Sequence, residues 1–117
     1  MEEYALIMRH EDGAAVASPE QMQAWMKQTM DWIGSIAAQN KFVSGTGLPF
    51  DGARVVKSDK TVTNGPFGEV KETIGGFIVV KASSVEEAVE FAKGCPVLQG
   101  EGNTMEVRKI AKGDGVH

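Results

Sequence analysis

Apolar residues along this chain change their spacing several times, and each change marks an element. Tyr4 to Met8, YALIM, is a continuous apolar run bounded by charge, the pattern of a strand covered on both faces. Met22, Trp25, Met26, Thr29, Trp32, Ile33, Ile36 and Ala37 then recur at three- and four-residue intervals, which predicts a long amphipathic helix with that stripe against the core. Ser18-Pro19-Glu20-Gln21 starts it with a capping hydroxyl, a proline whose missing N–H is harmless and an acid in the first turn. The helix is expected to run to Asn40. Gly34 lies inside it, where close packing on a sheet would account for a glycine.

From Lys41 the period shifts. Phe42-Val43-Ser44 opens a strand that Gly45 and Gly47 are expected to break, and Leu48 to Gly52 reads as a loop with an Asp-Gly turn. Arg54 to Lys57 and Thr61 to Thr63 flank Ser58-Asp59-Lys60 as a peripheral hairpin with one wet face. Gly75-Gly76 leads into Phe77-Ile78-Val79-Val80, a second buried strand. Ser84-Val85-Glu86-Glu87 is a capping box for a shorter helix, whose apolar face is Val85, Ala88, Val89, Ala92 and Cys95 and whose stop signals are Lys93, Gly94 and Pro96. Met105 to Ile110 alternates apolar and charged residues as a last strand, and the tail from Ala111 is expected to fray.

Two helices that each link strands with room for another strand between them predict an α+β fold, a ferredoxin-like split βαβ sandwich: an antiparallel sheet with both helices on one face. The other face would then be bare. A second copy is the expected cover, giving a homodimer with sheets face to face and clefts between them.

At 117 residues the chain has the size of one domain, taken as residues 1–117, and its 42% hydrophobic and 24% charged composition is that of a globular protein. No apolar run approaches a membrane span, and Met1-Glu2-Glu3 is acidic where a signal peptide is basic, so a soluble, cytoplasmic protein is expected. The lone Cys95 has no disulfide partner and reads as a buried structural thiol. A net charge of −4 with scattered basic residues argues against nucleic acid as a partner.

The chemistry-bearing residues gather at strand ends and in the segment Asn64 to Glu72. His10, at the carboxyl end of the first strand, is suited to give or take a proton at neutral pH, with Glu11 and Asp12 beside it in the chain. His10 and Asp12 are the catalytic candidates, and Arg9 is a ligand-binding candidate at the same strand end. The bland alternative for His10 is a strand-end histidine with no task. Asn64-Gly65-Pro66-Phe67 makes a sharp turn that aims an aromatic ring, with Asn64 able to hydrogen-bond a polar ligand; its alternative is a turn with an aromatic plug. Lys71 and Glu72, with Glu69, are either a polar cluster at a cleft mouth or a solvated charged segment. Arg54 and Arg108 are candidate anchors for an anion, though an arginine on an alternating strand more often pairs with a neighbouring acid. No metal-ligand spacing, phosphate loop or dinucleotide fingerprint occurs, so no metal or cofactor is expected.

The stretch Asn64 to Phe77, NGPFGEVKETIGGF, resembles the YCII-related family, in the branch named for an Asp-Gly-Pro-Phe motif followed by a Glu-x-Lys-Glu segment. The first strand, the Ser-Pro-Glu-Gln helix start, SVEEAVEFAKGCP and MEVRKI are also similar to that family's pattern. The resemblance implies a ferredoxin-like fold of the dimeric α/β barrel type. It further implies a site with a histidine and an aspartate for a small molecule, some members acting on small ring compounds. Asn64 stands where the family motif has its aspartate, so either Asp12 or another acid takes that part or the chain binds without that chemistry.

Overall fold

The structure, a computed structural model, describes residues 1–10, 18–49, 52–63 and 73–111, Thr73 by its backbone alone. In chain order it contains β1 (Glu2–His10), α1 (Pro19–Ala37), β2 (Phe42–Gly47), β3 (Val55–Val56), β4 (Val62–Thr63), β5 (Thr73–Ala82), α2 (Val85–Lys93), a 3₁₀ turn (Pro96–Gln99) and β6 (Thr104–Lys109). Four strands form an antiparallel sheet in the order β2-β5-β1-β6. The connection through α1 joins β1 to β2 across β5, and the connection through α2 joins β5 to β6 across β1. This is the ferredoxin-like arrangement that the element order predicts.

Alternation along the strands decides which side is the core. Tyr4 and Leu6 of β1 and Ile78, Val80 and Ala82 of β5 are buried with Trp32 and Ile36 of α1, Ala88 and Ala92 of α2, and Cys95. Met8, Met105 and Val107 pack against the same cluster, since Leu6 pairs with Val107 and Met8 with Met105. Both helix starts are capped as their sequences indicate. Ser18 Oγ accepts the Gln21 N–H (3.1 Å) and Ser84 Oγ accepts the Glu87 N–H (3.2 Å). Glu87 in turn accepts the Ser83 N–H (2.8 Å) and the Lys41 ammonium (2.5 Å), tying α2 to the start of β2. The Trp32 indole donates to the Phe91 carbonyl (2.8 Å), so one ring both fills the core and satisfies the end of α2. A side chain at Gly94 would come within 3.1 Å of that ring.

Three elements differ from their expected form. Of the α1 stripe, only Trp32 and Ile36 are buried, with Ile33 packed beside them; Met22, Trp25, Met26 and Met30 are exposed. The reason is placement: α1 packs mainly on β2 and the 96–99 turn, and its buried residues, Trp32 and Ile36, both lie in its C-terminal half. Gly34 meets no atom within 4 Å, so close packing is not what it provides. β2 runs unbroken through Gly45 and Gly47, with a register irregularity between Phe42 and Ser44. Gly45 lies opposite Ile78 with only 3.1 Å for a side chain, so here glycine relieves crowding instead of ending a strand. The β3–β4 hairpin forms about Ser58-Asp59-Lys60, held by the Lys57 N–H to the Thr61 carbonyl (2.8 Å) and by Asp59 accepting from Thr61 (3.0 Å), but Val55, Val56 and Val62 are all exposed.

Candidate functional site

β1 enters the sheet at its centre and ends at His10, whose register partner is Thr73, the residue that follows Glu72 in the chain. One residue of β5 is left over at this point: Met8 pairs with Gly76 and Arg9 with Ile74, so Gly75 has no partner on β1. That bulge explains the double glycine. A Cβ on Gly75 would lie 2.4 Å from His10 Nε2, so the imidazole occupies the space that a side chain there would take. Gly76 has φ +155°, and a Cβ on it would lie 2.7 Å from the Thr46 carbonyl oxygen of β2. The histidine is thus seated, partly buried, beside a bulge in the space that the missing side chain of Gly75 leaves open.

Neighbouring residues of a strand face opposite sides. His10 follows the parity of Leu6 and Met8, toward the helix layer, while Arg9 follows Ala5 and Ile7 onto the open face. There the Arg9 guanidinium pairs with Glu106 at 3.0 Å, and Arg108 approaches the same carboxylate at 3.7 Å. These charges rim an apolar patch of half-buried Ala5, Ile7 and Phe77: Ala5 pairs with the buried Val79 and Ile7 with Phe77, all on the side away from the helices. Ser44 and Thr46 of β2 complete the face, paired with Val79 and Phe77.

On the helix side, a groove of about 270 Å³ runs between α2, the 96–99 turn and β6, lined by Val89, Ala92, Leu98, Asn103, Met105 and Val107 among others. Because Arg9 pairs with Thr104, the groove's Asn103 and Thr104 stand at the same end of the sheet as His10. The Asn103 amide is anchored to the Val97 carbonyl (3.1 Å).

Of the residues the sequence singles out, His10 and Arg9 are placed as above. Asp12, Asn64, Gly65, Pro66, Phe67, Lys71 and Glu72, together with Glu11 and Glu69, lie outside the described residues. Arg54 bonds the carbonyls of Gly52 (3.1 Å) and Ala53 (2.9 Å), and Arg108 pairs with an acid as its strand position suggests. Cys95 is buried at 3% exposure, and burial pushes its thiol up to about 11, which leaves it protonated and inert at neutral pH. Gly75, as the seat of His10, and Glu106, as the partner of Arg9, are not evident from spacing alone. The adjacent glycines at the head of β5 were the available signal for the first; a register is needed for the second. Among the described residues no three His, Cys, Asp or Glu side chains gather as for a metal ion, and no helix is long and apolar enough to cross a membrane.

The sequence model of the family described as the YCII-related domain matches residues 2–112. The chain is also similar to an uncharacterised protein of Rhizobium meliloti (strain 1021), 28% identical over 100 residues that cover 75% of this chain and 81% of that one.

Proposed function

The chain belongs to the YCII-related family, and from that premise we propose that it is a homodimeric protein with a cleft for a small polar or aromatic molecule, in which His10 acts as general acid or base. The observation that carries this reading is the register: His10 pairs with Thr73, so the histidine sits one residue from the end of the Asn64–Glu72 motif segment despite its distance in sequence. Segment 11–17, which holds Asp12, leaves β1 from the same point. The two described residues that border segments 11–17 and 64–72 in the chain, His10 and Thr73, therefore lie side by side at one sheet end, and the seat on Gly75 holds the imidazole there. In this reading Asp12 orients or charge-balances His10. Asn64, Gly65, Pro66, Phe67, Lys71 and Glu72 bind the ligand, Asn64 and the neighbouring backbone holding a developing oxyanion, while Arg9, on the face opposite His10 and paired with Glu106, does not join them. The second copy covers the open face, whose apolar centre of Ala5, Ile7 and Phe77 is rimmed by the polar Arg9, Glu106 and Arg108.

Asn64 favours a second reading, a non-catalytic binding or regulatory module, because an amide in place of the motif's acid transfers no proton. The two separate in one experiment on a panel of small polar and ring compounds. With an acid/base role, His10→Ala lowers turnover by about a hundredfold or more while ligand affinity changes only severalfold. Binding without turnover in wild type, with turnover appearing in Asn64→Asp, identifies an enzyme site converted to binding. No binding by any form on ligand-observed NMR would overturn both readings.

A further inference from the structure

The groove between α2, the 96–99 turn and β6 has its polar residues at one end. Lys93 ends α2 and Asn103 precedes β6, whereas Val89 lies one turn back along the helix and Val107 lies further along the strand. That polar end is the His10 end of the sheet, because the register that pairs Arg9 with Thr104 leaves His10 and Asn103 as the next residues of their strands. Parity agrees. His10 shares the helix side with Met8 and Leu6, and these pair with Met105 and Val107, which form the floor of the groove. Groove and imidazole therefore lie on one side of the sheet. Met105, opposite Met8, stands two residues back from His10, roughly 7 Å along the strand direction, and adjacent strands are about 5 Å apart.

The groups at the polar end select the sign of a ligand's head. The carbonyls around the groove are already engaged: Ala92 accepts the Cys95 N–H (3.0 Å), Cys95 accepts the Leu98 N–H (3.1 Å), and Val97 accepts both the Gly100 N–H (3.1 Å) and the Asn103 amide (3.1 Å). Among the described residues no carboxylate lines the groove, and Lys93 is its one charged lining residue. The Lys93 ammonium pairs with Glu90 at 3.0 Å, but the two side chains are 66% and 68% exposed, so the pair holds the lysine weakly and leaves it able to turn to an anion. We infer that this groove is the apolar end of the His10 site and takes a small apolar carboxylate. The ring or chain of such an acid lies over Met105 and Leu98, and its carboxylate meets Lys93 beside the imidazole. The inference rests on the proposed role of His10 and gives that site a substrate class. A volume of about 270 Å³ is near the lower end of small-molecule sites, which suits one ring with a short chain.

NMR of the full chain, following methyl and imidazole C–H resonances, tests this with 3-phenylpropanoate and hexanoate, and with 3-phenylpropan-1-ol as the uncharged counterpart. Both acids are expected to shift the methyls of Val89, Leu98 and Val107 together with the His10 resonances, and the alcohol to bind about threefold more weakly than its acid. Lys93→Gln is expected to abolish that difference, and Leu98→Gln to weaken acid and alcohol alike by about fivefold. Both positions are exposed, so circular dichroism is expected to be unchanged in either variant. Equal binding of acid and alcohol to wild type, methyls unmoved by all three compounds, or methyl shifts without a His10 shift would overturn the inference. Compounds that move the His10 resonances and leave the groove methyls in place would overturn it while the reading of His10 stands. Failure of the His10 reading alone shows differently: groove and imidazole shift together, yet His10→Ala alters neither affinity nor turnover.

Discussion

At the level of single residues, the two glycines at the head of β5 perform different tasks. Gly76 combines a φ of +155° with a Cβ position 2.7 Å from a backbone oxygen that has no room to move. Gly76→Ala is expected to destabilise the fold by about 1–3 kcal/mol, read as a lowered denaturation midpoint. Gly75 is crowded only by the far end of a side chain, which can swing away. Gly75→Ala is therefore expected to change stability by less than about 1 kcal/mol while moving the imidazole resonances of His10 and weakening ligand binding. If Gly75→Ala leaves the His10 resonances in place, the seat described for the ring is incorrect.

At the level of elements, the helices are held by contacts that link them end to side. Trp32→Ala removes most of a buried indole and is expected to cost about 3–5 kcal/mol. Trp32→Phe keeps much of the packing and loses the bond to the Phe91 carbonyl, for about 0.5–1.5 kcal/mol, since the Gly94 N–H still reaches that oxygen. The α2 start carries a pH dependence. The Lys41 ammonium, and then the Ser83 N–H, hold the Glu87 carboxyl below its ordinary value of 4.5. A carboxylate with a lowered folded pKa contributes stability above the unfolded value and loses it as pH falls through the folded one. Thermal melting from about pH 5 down to about pH 2 should therefore fall more steeply for wild type than for Glu87→Gln; parallel curves would show that the pair contributes nothing.

These same elements show how far local signals reach. Caps, glycine stops and strand alternation are written in adjacent residues, and α1, α2, β1, β5, β6 and the order of the sheet follow from them. The fate of the α1 stripe does not, because periodicity identifies an apolar face without saying what lies beside it, and the buried residues of α1, Trp32 and Ile36, both lie in its C-terminal half. The double glycine Gly75-Gly76 reads in the sequence as the opening of a strand; that it forms a bulge, and that the bulge meets His10, depends on a register shift between strands far apart in the chain.

At the level of the whole molecule, the Cα radius of gyration is 15.5 Å with extents of 41 × 41 × 20 Å, against roughly 13 Å for a compact domain of this length. The slab is two layers thick, and the proposed dimer would cover its open sheet face. Ile7→Glu places a charge at the centre of that face and is expected to convert a sheet-face dimer to monomer in light scattering, with the helix-side core intact; an unchanged mass would place any dimer elsewhere. Whether His10 shares one site with the motif segment that runs from Asn64 into β5 is tested by following the His10 imidazole C–H resonances by NMR, assigned against His10→Ala, while Asn64→Asp and Glu72→Gln are introduced and a panel of small polar and aromatic compounds is added. Both substitutions, and the compounds that bind, are expected to shift those resonances, with binding weakened in His10→Ala. Resonances indifferent to both substitutions and to every bound compound would contradict a shared site.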